Sequence, residues 1–210
     1  MAAPRVAAVL LAAGASRRLG TPKQLLADAD GVPLVVRAAR QLLEAGCAPV
    51  LVVTGAEAEA VAAALQDLDV QLVFNPAHAD GMGRSIAAGV VAIGDHPARD
   101  DIVGVLVAAC DMPTVDTAHL QALMERSANG TIRTTSVYVA LDGVVDVSMM
   151  RGIPAVFPTF DWPWLMALDS DRGAKPLLME AGSLSVPLLQ GMFDLDTPAD
   201  VAAWRGELGR

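Results

Sequence analysis

Apolar positions along the chain fall into two rhythms. Val6 to Leu11 is an unbroken apolar run closed by a glycine-containing turn, the pattern of a strand buried on both faces. Val35, Ala38, Ala39 and Leu42 recur at helical spacing, so residues 33–45 are predicted to form an amphipathic helix that Gly46 stops. Val50–Thr54 and Val70–Phe74 are predicted strands, with a helix between them marked by Ala58, Val61, Ala62 and Leu65. A helix over 84–93 and a long apolar strand, Ile102–Ala109, follow. Such alternation predicts βαβ units and a mostly parallel sheet. Asp116 is a predicted N-cap for a helix through Ser127. Thr197-Pro198-Ala199-Asp200 has a hydroxyl cap, proline at the first helical position and an acid at the third.

Between about 130 and 160 the rhythm changes. Val137–Leu141, Val144–Val147 and Ala155–Phe157 are short and β-like, and Asp142-Gly143 is a hairpin signal. This predicts an antiparallel excursion appended to the parallel sheet. Four of the eight aromatics, Phe157, Phe160, Trp162 and Trp164, fall within residues 157–164, and the Trp162/Trp164 pair is read as packing.

Composition sharpens the picture. The 210 residues are 53% hydrophobic but only 4% aromatic, so the core is built of Ala, Val and Leu. The net charge of −9 argues against nucleic-acid binding, which needs basic stripes. That charge is uneven: residues 1–40 hold six basic and two acidic side chains, a local +4 that suits a small phosphorylated ligand. Only two lysines occur, Lys23 and Lys175. Cys47 and Cys110 make no disulfide framework. The first apolar run is too short to span a bilayer, and its basic cluster follows it, unlike a signal segment. A cytoplasmic protein without membrane attachment is expected.

Five constellations carry candidate chemistry. The first runs from Leu11, Ala12, Ala13 and Gly14 through Ser16, Arg17 and Arg18 to Lys23. Small residues after a buried strand let backbone N–H groups approach phosphate oxygens, and three cations can neutralise a triphosphate. The spacing fits neither the Walker A loop nor G-x-G-x-x-G. A solvated basic turn is the alternative. The second is Asp111, at the end of a buried strand, placed either to hold Mg²⁺ or to cap a turn before Pro113. In the third, Asp194 and Asp196 alternate on one side of an extended segment before a helix, as metal ligands or as local helix-start partners. The fourth, Gly81-Met82-Gly83-Arg84-Ser85, presents backbone groups and a hydroxyl at a helix start, or is a flexible turn. In the fifth, Arg172, Gly173 and Lys175 follow Arg151–Phe157 and open a helix, either as an anion site or as surface charge. The histidines His78, His96 and His119 lack zinc spacing, and no hydrolase triad motif is present.

Taken in order, these segments resemble a family. Leu11–Lys23 is similar to the nucleotide-binding signature L-A-A-G-x-[GS]-x-R-[ML]-G-x-x-K of nucleotidyltransferases. LAAGASRRLGTPKQLL resembles most the molybdenum-cofactor cytidylyltransferase branch of the molybdopterin nucleotidyltransferases. Asn75-Pro76 with Gly81–Ser85, Cys110-Asp111-Met112-Pro113, Arg151–Pro154 with Arg172–Lys175, and Asp194–Pro198 match that branch in sequence order. The chain departs from it at Ser170, where glycine is usual, and at Lys175, where arginine is usual.

The resemblance implies a three-layer α/β/α Rossmann-like sandwich with a small antiparallel insertion, forming one domain over 1–210. Residues 1–130 would mainly bind nucleotide and 131–210 mainly the acceptor. It implies Mg²⁺-dependent transfer of CMP from CTP to the phosphate of molybdopterin, releasing pyrophosphate. Ala13, where guanylyl-transferring relatives usually have glycine, favours CTP over GTP. Arg18, Lys23 and Asp111 are the implied catalytic residues. Leu11, Ala12, Ala13, Gly14, Ser16, Arg17, Gly81 and Ser85 are the implied nucleotide contacts. Arg172, Gly173 and Lys175 would take the acceptor, and Asp111 with Asp194 or Asp196 the metal. A recipient molybdoenzyme or its chaperone is the implied partner. Another acceptor or nucleotide, or a non-catalytic accessory binder, is the alternative.

Overall fold

The computed structural model describes residues 5–16, 19–128, 130–139, 150–169, 173–189, 195 and 197–207. One seven-stranded sheet runs through it, in the order β3-β2-β1-β4-β6-β5-β7. The strands are β1 (Arg5–Ala12), β2 (Val50–Thr54), β3 (Gln71–Phe74), β4 (Ile102–Ala109), β5 (Thr134–Val139), β6 (Arg151–Pro158) and β7 (Leu184–Leu189). Among them only β6 runs against the others, pairing antiparallel with both β4 and β5. The antiparallel element is thus a strand inside the sheet, and not an appendage to it. The Asp142-Gly143 hairpin signal lies outside the described residues.

Among the described residues seven helices flank the sheet: α1 (Leu34–Glu44), α2 (Ala58–Leu65), α3 (Met82–Gly94), α4 (Thr117–Arg126), α5 (Trp162–Met166), α6 (Lys175–Leu178) and α7 (Pro198–Glu207). Side chains alternate across a strand. Ala8 and Leu10 of β1 therefore meet α1, α2 and α4 on one face, through Val35, Ala39, Val61 and Leu120. Ala7 and Val9 meet α3, α5 and α6 on the other, through Ile86, Val90, Leu165 and Leu177. The result is a three-layer sandwich whose central strands carry no polar alternation because both faces are covered.

The predicted caps form. Asp116 accepts from the His119 backbone N–H at 2.8 Å. Thr197 Oγ1 donates to Asp200 at 2.8 Å and accepts from the Asp200 N–H at 3.3 Å, a reciprocal box. Trp162 is buried, with Arg99 4.2 Å above its ring, whereas Trp164 is partly exposed. The start of β5 is polar yet buried. Thr135 donates to the Gly152 carbonyl at 2.8 Å and Ser136 to the Pro154 carbonyl at 2.6 Å, at a bulge in the β5–β6 pairing. His119 Nε2 lies 2.8 Å from Ser136 Oγ. Because that hydroxyl gives its proton to Pro154, the imidazole nitrogen is the donor. Arg133 is buried as well, binding Asp161 through two nitrogens at 2.8 and 2.5 Å and the Leu177 carbonyl at 2.9 Å. It thereby ties β5 to α6.

Gly89 sets how closely α3 approaches the sheet. A Cβ there would lie 2.5 and 2.9 Å from the two γ-carbons of the fully buried Val9. Alanine in a helix interior ordinarily gains about 1 kcal/mol over glycine, but overpacking a rigid core costs about 1–3 kcal/mol. Gly89→Ala is therefore expected to lower the urea midpoint. A raised midpoint would show that helix and strand have slack.

Candidate active site

β1 delivers its carboxyl end to a loop of small residues. Leu11 pairs with Ala109 of the adjacent parallel strand β4. The segments that leave the two strands, Ala13 onward and Cys110-Asp111, therefore emerge side by side. Ser16 then adopts φ 48° and Gly20 φ 75°. The Ser16 carbonyl accepts from the N–H groups of Leu19 and Gly20, both at 3.0 Å. This tight turn sends the chain back toward the sheet, where Ser16 Oγ accepts from the Lys23 backbone N–H at 2.9 Å.

Gln24 fastens the loop. It is 1% exposed, and its amide donates to the carbonyls of Ala12 at 3.0 Å and Gly14 at 2.5 Å. With those carbonyls held, Lys23 projects into the space in front of β4. Its ammonium donates to the Asp111 carboxylate, joining residues 88 apart in sequence. Both side chains are mostly buried, which strengthens the attraction over that of a surface pair. Each is also a group that a phosphate or a metal ion can engage.

Two cavities meet at this pair. The first, of about 260 Å³, is lined by Leu11, Ala12, Ala13 and Gly14 of the loop, by Lys23 and Gln24, and by Cys110 and Asp111. Its other wall comes from His78, Gly81 and Ser85 at the start of α3. The second, of about 270 Å³, is lined by Tyr138, Arg151, Gly152, Gly173 and Lys175 among others. Met82, Ala109 and Asp111 line both. Both of the chain's lysines therefore line a cavity at the carboxyl end of the sheet, one in each.

The structure thus gathers Leu11, Ala12, Ala13, Gly14, Lys23, Gly81, Ser85 and Asp111 around one space, and Gly173 and Lys175 around the next. Ser16 does not line the cavity; its hydroxyl serves the loop. Arg17, Arg18, Arg172, Asp194 and Asp196 lie outside the described residues. Leu195, between the two aspartates in sequence, is fully buried and donates its N–H to the Asp111 carbonyl at 3.3 Å. α6 is a single turn, with Pro176 removing an N–H from its opening. It therefore contributes little dipole, and its lysine supplies the charge.

Several residues escaped the reading of the sequence. Gln24 is one, although a polar residue between Lys23 and two leucines was a usable signal. Tyr138 is another: its Oη donates to the Ile153 carbonyl at 2.5 Å, and a side chain at Gly152, within the Arg151–Pro154 motif, would overlap that hydroxyl. Only the fold brings them together. Cys110 faces the first cavity, but burial, aided by Asp111, holds its thiol pKa above the usual range. Burial also pushes Cys47 up to about 12. Both are neutral thiols, unsuited to nucleophilic work. Among the described residues no three metal-ligating side chains cluster. Asp111 is a single hard oxygen donor beside a cavity, which fits Mg²⁺, an ion that takes one or two carboxylates and completes its shell with phosphate oxygens and water.

A mostly parallel sheet that opens a small-residue loop and a strand-end carboxylate onto one cavity defines a nucleotide-binding α/β protein. The chain belongs to the MobA-like NTP transferase domain family, matched over residues 8–184. It is 33% identical, over 84% of its own length and 83% of the relative's, to nicotine blue oxidoreductase of Paenarthrobacter nicotinovorans. Its fold matches the crystal structure of Rv0371c from Mycobacterium tuberculosis H37Rv at TM-score 0.76 and 26% identity, covering 97% of this chain and 98% of that one. A second structure of Rv0371c, in complex with manganese, matches at TM-score 0.71 and 24% identity, covering 97% and 99%. A nucleotidyl transferase from Methanothermobacter matches at TM-score 0.73 and 23% identity, with 96% of each chain covered. None of the described helices is long and apolar enough to cross a membrane.

Replacing Gln24 by leucine removes both bonds that hold the loop, including the buried one to the Ala12 carbonyl. Gln24→Leu is expected to cost about 1–3 kcal/mol in urea unfolding. A loss below about 0.5 kcal/mol, inside the range of a neutral surface change, would show that the loop holds its shape without Gln24.

Proposed function

We propose that the protein transfers CMP from CTP to the phosphate of a molybdopterin-type acceptor, with release of pyrophosphate. The observation that carries this reading is the Lys23–Asp111 pair at the meeting point of two cavities. A transferase must hold donor and acceptor at once, with the reacting phosphorus between them. Asp111 borders both spaces.

In this reading the first cavity takes the donor. The backbone of Leu11–Gly14, with Gly81 and Ser85, contacts the base, and the loop of Ser16, Arg17, Arg18 and Lys23 takes the phosphates. The second cavity takes the acceptor, whose phosphate meets Arg172, Gly173 and Lys175. An acceptor phosphate oxygen attacks the α-phosphorus in line. The new P–O bond forms as the bond to the β-phosphate bridging oxygen breaks, and pyrophosphate leaves with that electron pair. Arg18 and Lys23 offset the charge that builds on the phosphates, so positioning and electrostatics supply the catalysis and no protein nucleophile is required. Asp111, with Asp194 or Asp196, would hold Mg²⁺, which neutralises phosphate charge when bound. Residues up to about 130 then serve mainly the donor and the remainder mainly the acceptor. The product would pass to a recipient molybdoenzyme or its chaperone in the cytoplasm.

A second reading follows from the 33% identical relative, which is named as an oxidoreductase acting on nicotine blue. The same two cavities would then hold a nucleotide electron carrier and a heteroaromatic substrate. The two readings separate cleanly. Incubation with each NTP, Mg²⁺ and molybdopterin should release pyrophosphate fastest from CTP and yield a cytidine dinucleotide by mass. No pyrophosphate from any NTP, together with loss of NADH or NADPH absorbance in the presence of nicotine blue, would replace the first reading by the second.

Lys23→Ala is expected to lower kcat about 10²-fold or more, as loss of a single group stabilising transition-state charge does. A folded variant with unchanged kcat would remove Lys23 from the chemistry.

A further inference from the structure

His78 lines the first cavity but belongs to no motif assigned above. The other histidines are committed to structure. His119 binds Ser136, and His96 accepts from the Ala98 N–H at 3.0 Å and contacts Gln71 at 2.9 Å. The His78 ring has no hydrogen-bond partner among the described residues, so both nitrogens are available to a ligand.

Its position is built. Gly55, directly after β2, has no side chain where one would lie 2.6 Å from the Ala13 carbonyl oxygen and 2.7 Å from both Cβ and Cγ of His78. The root of the imidazole and the carbonyl of the loop therefore converge on one small space that any other residue at 55 would fill. The backbone that carries His78 is fixed as well. Its N–H donates to the Asn75 carbonyl at 3.2 Å. Asn75, itself 3% exposed, accepts from the Ala77 N–H at 3.0 Å and donates to Ser85 Oγ at 3.1 Å. Ser85 lines the same cavity, so the Asn75 side chain joins the turn to the start of α3.

The remaining polar side chains of this cavity each have a partner within the protein. Lys23 and Asp111 pair, Gln24 holds the loop carbonyls, and Ser85 accepts from Asn75. The loop offers mostly backbone groups and small apolar surface, which hold a planar ring without telling one base from another. An imidazole carries two ring nitrogens in one plane, each able to hydrogen-bond a base edge. We propose that His78 is a specificity-determining residue that reads the nucleobase of the donor nucleotide, with Gly55 as the positioning residue that seats it against Ala13. This rests on the reading of the first cavity as the donor site.

The test is calorimetric binding of CTP, UTP, ATP and GTP with Mg²⁺ to the wild-type chain and to His78→Ala, His78→Asn and His78→Phe, each checked for a native melting transition. His78→Ala should weaken the preferred nucleotide roughly tenfold, the worth of about one hydrogen bond, and bring the four affinities closer together. His78→Asn, which keeps a donor and an acceptor, should restore part of the preference, and His78→Phe should not. Gly55→Ala, which displaces the ring without removing it, should narrow the preference in the same way. Equal weakening of all four nucleotides, or no change, overturns the assignment, because a merely structural role would not alter the ratio. If the wild type binds none of the four, the donor-site reading itself falls, and the role of His78 falls with it. Should His78→Ala fail to fold, the contrast between the asparagine and phenylalanine variants decides the question.

Discussion

The parallel pairing of β1 with β4, Leu11 opposite Ala109, is the constraint on which the site depends. Both strands are buried on both faces, so neither can slip by a residue without moving every side chain to the opposite layer. With the register fixed, the two strands end together. The loop after β1 and the Cys110-Asp111 turn after β4 are forced into contact. Lys23 and Asp111, far apart in sequence, become partners through backbone geometry. Their ion pair is the consequence of the fold more than its cause, since a partly buried pair gains little net stability once desolvation is counted.

The same logic orders the supporting residues. Gln24 fixes the loop to the strand it has just left, Ser16 turns the chain, and Gly55 leaves room for the neighbouring turn. On the other side Arg133 and Asp161 tie α6 to β5, which steadies the segment carrying Lys175. The negative total charge of the chain now has a clear meaning. The acids outnumber the bases after residue 40, whereas the two lysines stand at adjacent cavities. Local charge, and not the sum, marks the end of the sheet where the two cavities open.

The central part of the fold was legible because its strands are continuous apolar runs and its helices keep strict spacing. β2, α2 and β4 fall at their predicted bounds, and the Asp116 and Thr197 caps form as expected. β5 was read three residues late because Thr134, Thr135 and Ser136 are polar. Thr134 is satisfied locally by the Ile132 carbonyl, but Thr135 and Ser136 are satisfied by carbonyls of β6 and by the ring of His119, a tertiary effect that local pattern does not encode. For the candidate site, chemistry-bearing types in motifs were visible: Lys23, Asp111, Ser85 and Lys175. Gln24, His78, Gly55 and Tyr138 were not, since their placement follows from close approaches between elements distant in the chain. The integration of β6 into the sheet was hidden for the same reason, because it inserts between β4 and β5, two strands that both precede it in sequence.

In the proposed reaction Asp111 joins nucleotide to metal at the junction of the two cavities. The most direct test of this role is the affinity for CTP measured at rising Mg²⁺ in the wild type and in Asp111→Asn. Mg²⁺ should tighten CTP binding to the wild type, and the asparagine variant, equally folded, should lose most of that dependence. An identical Mg²⁺ dependence in both proteins would contradict it and reduce Asp111 to a turn residue held by Lys23.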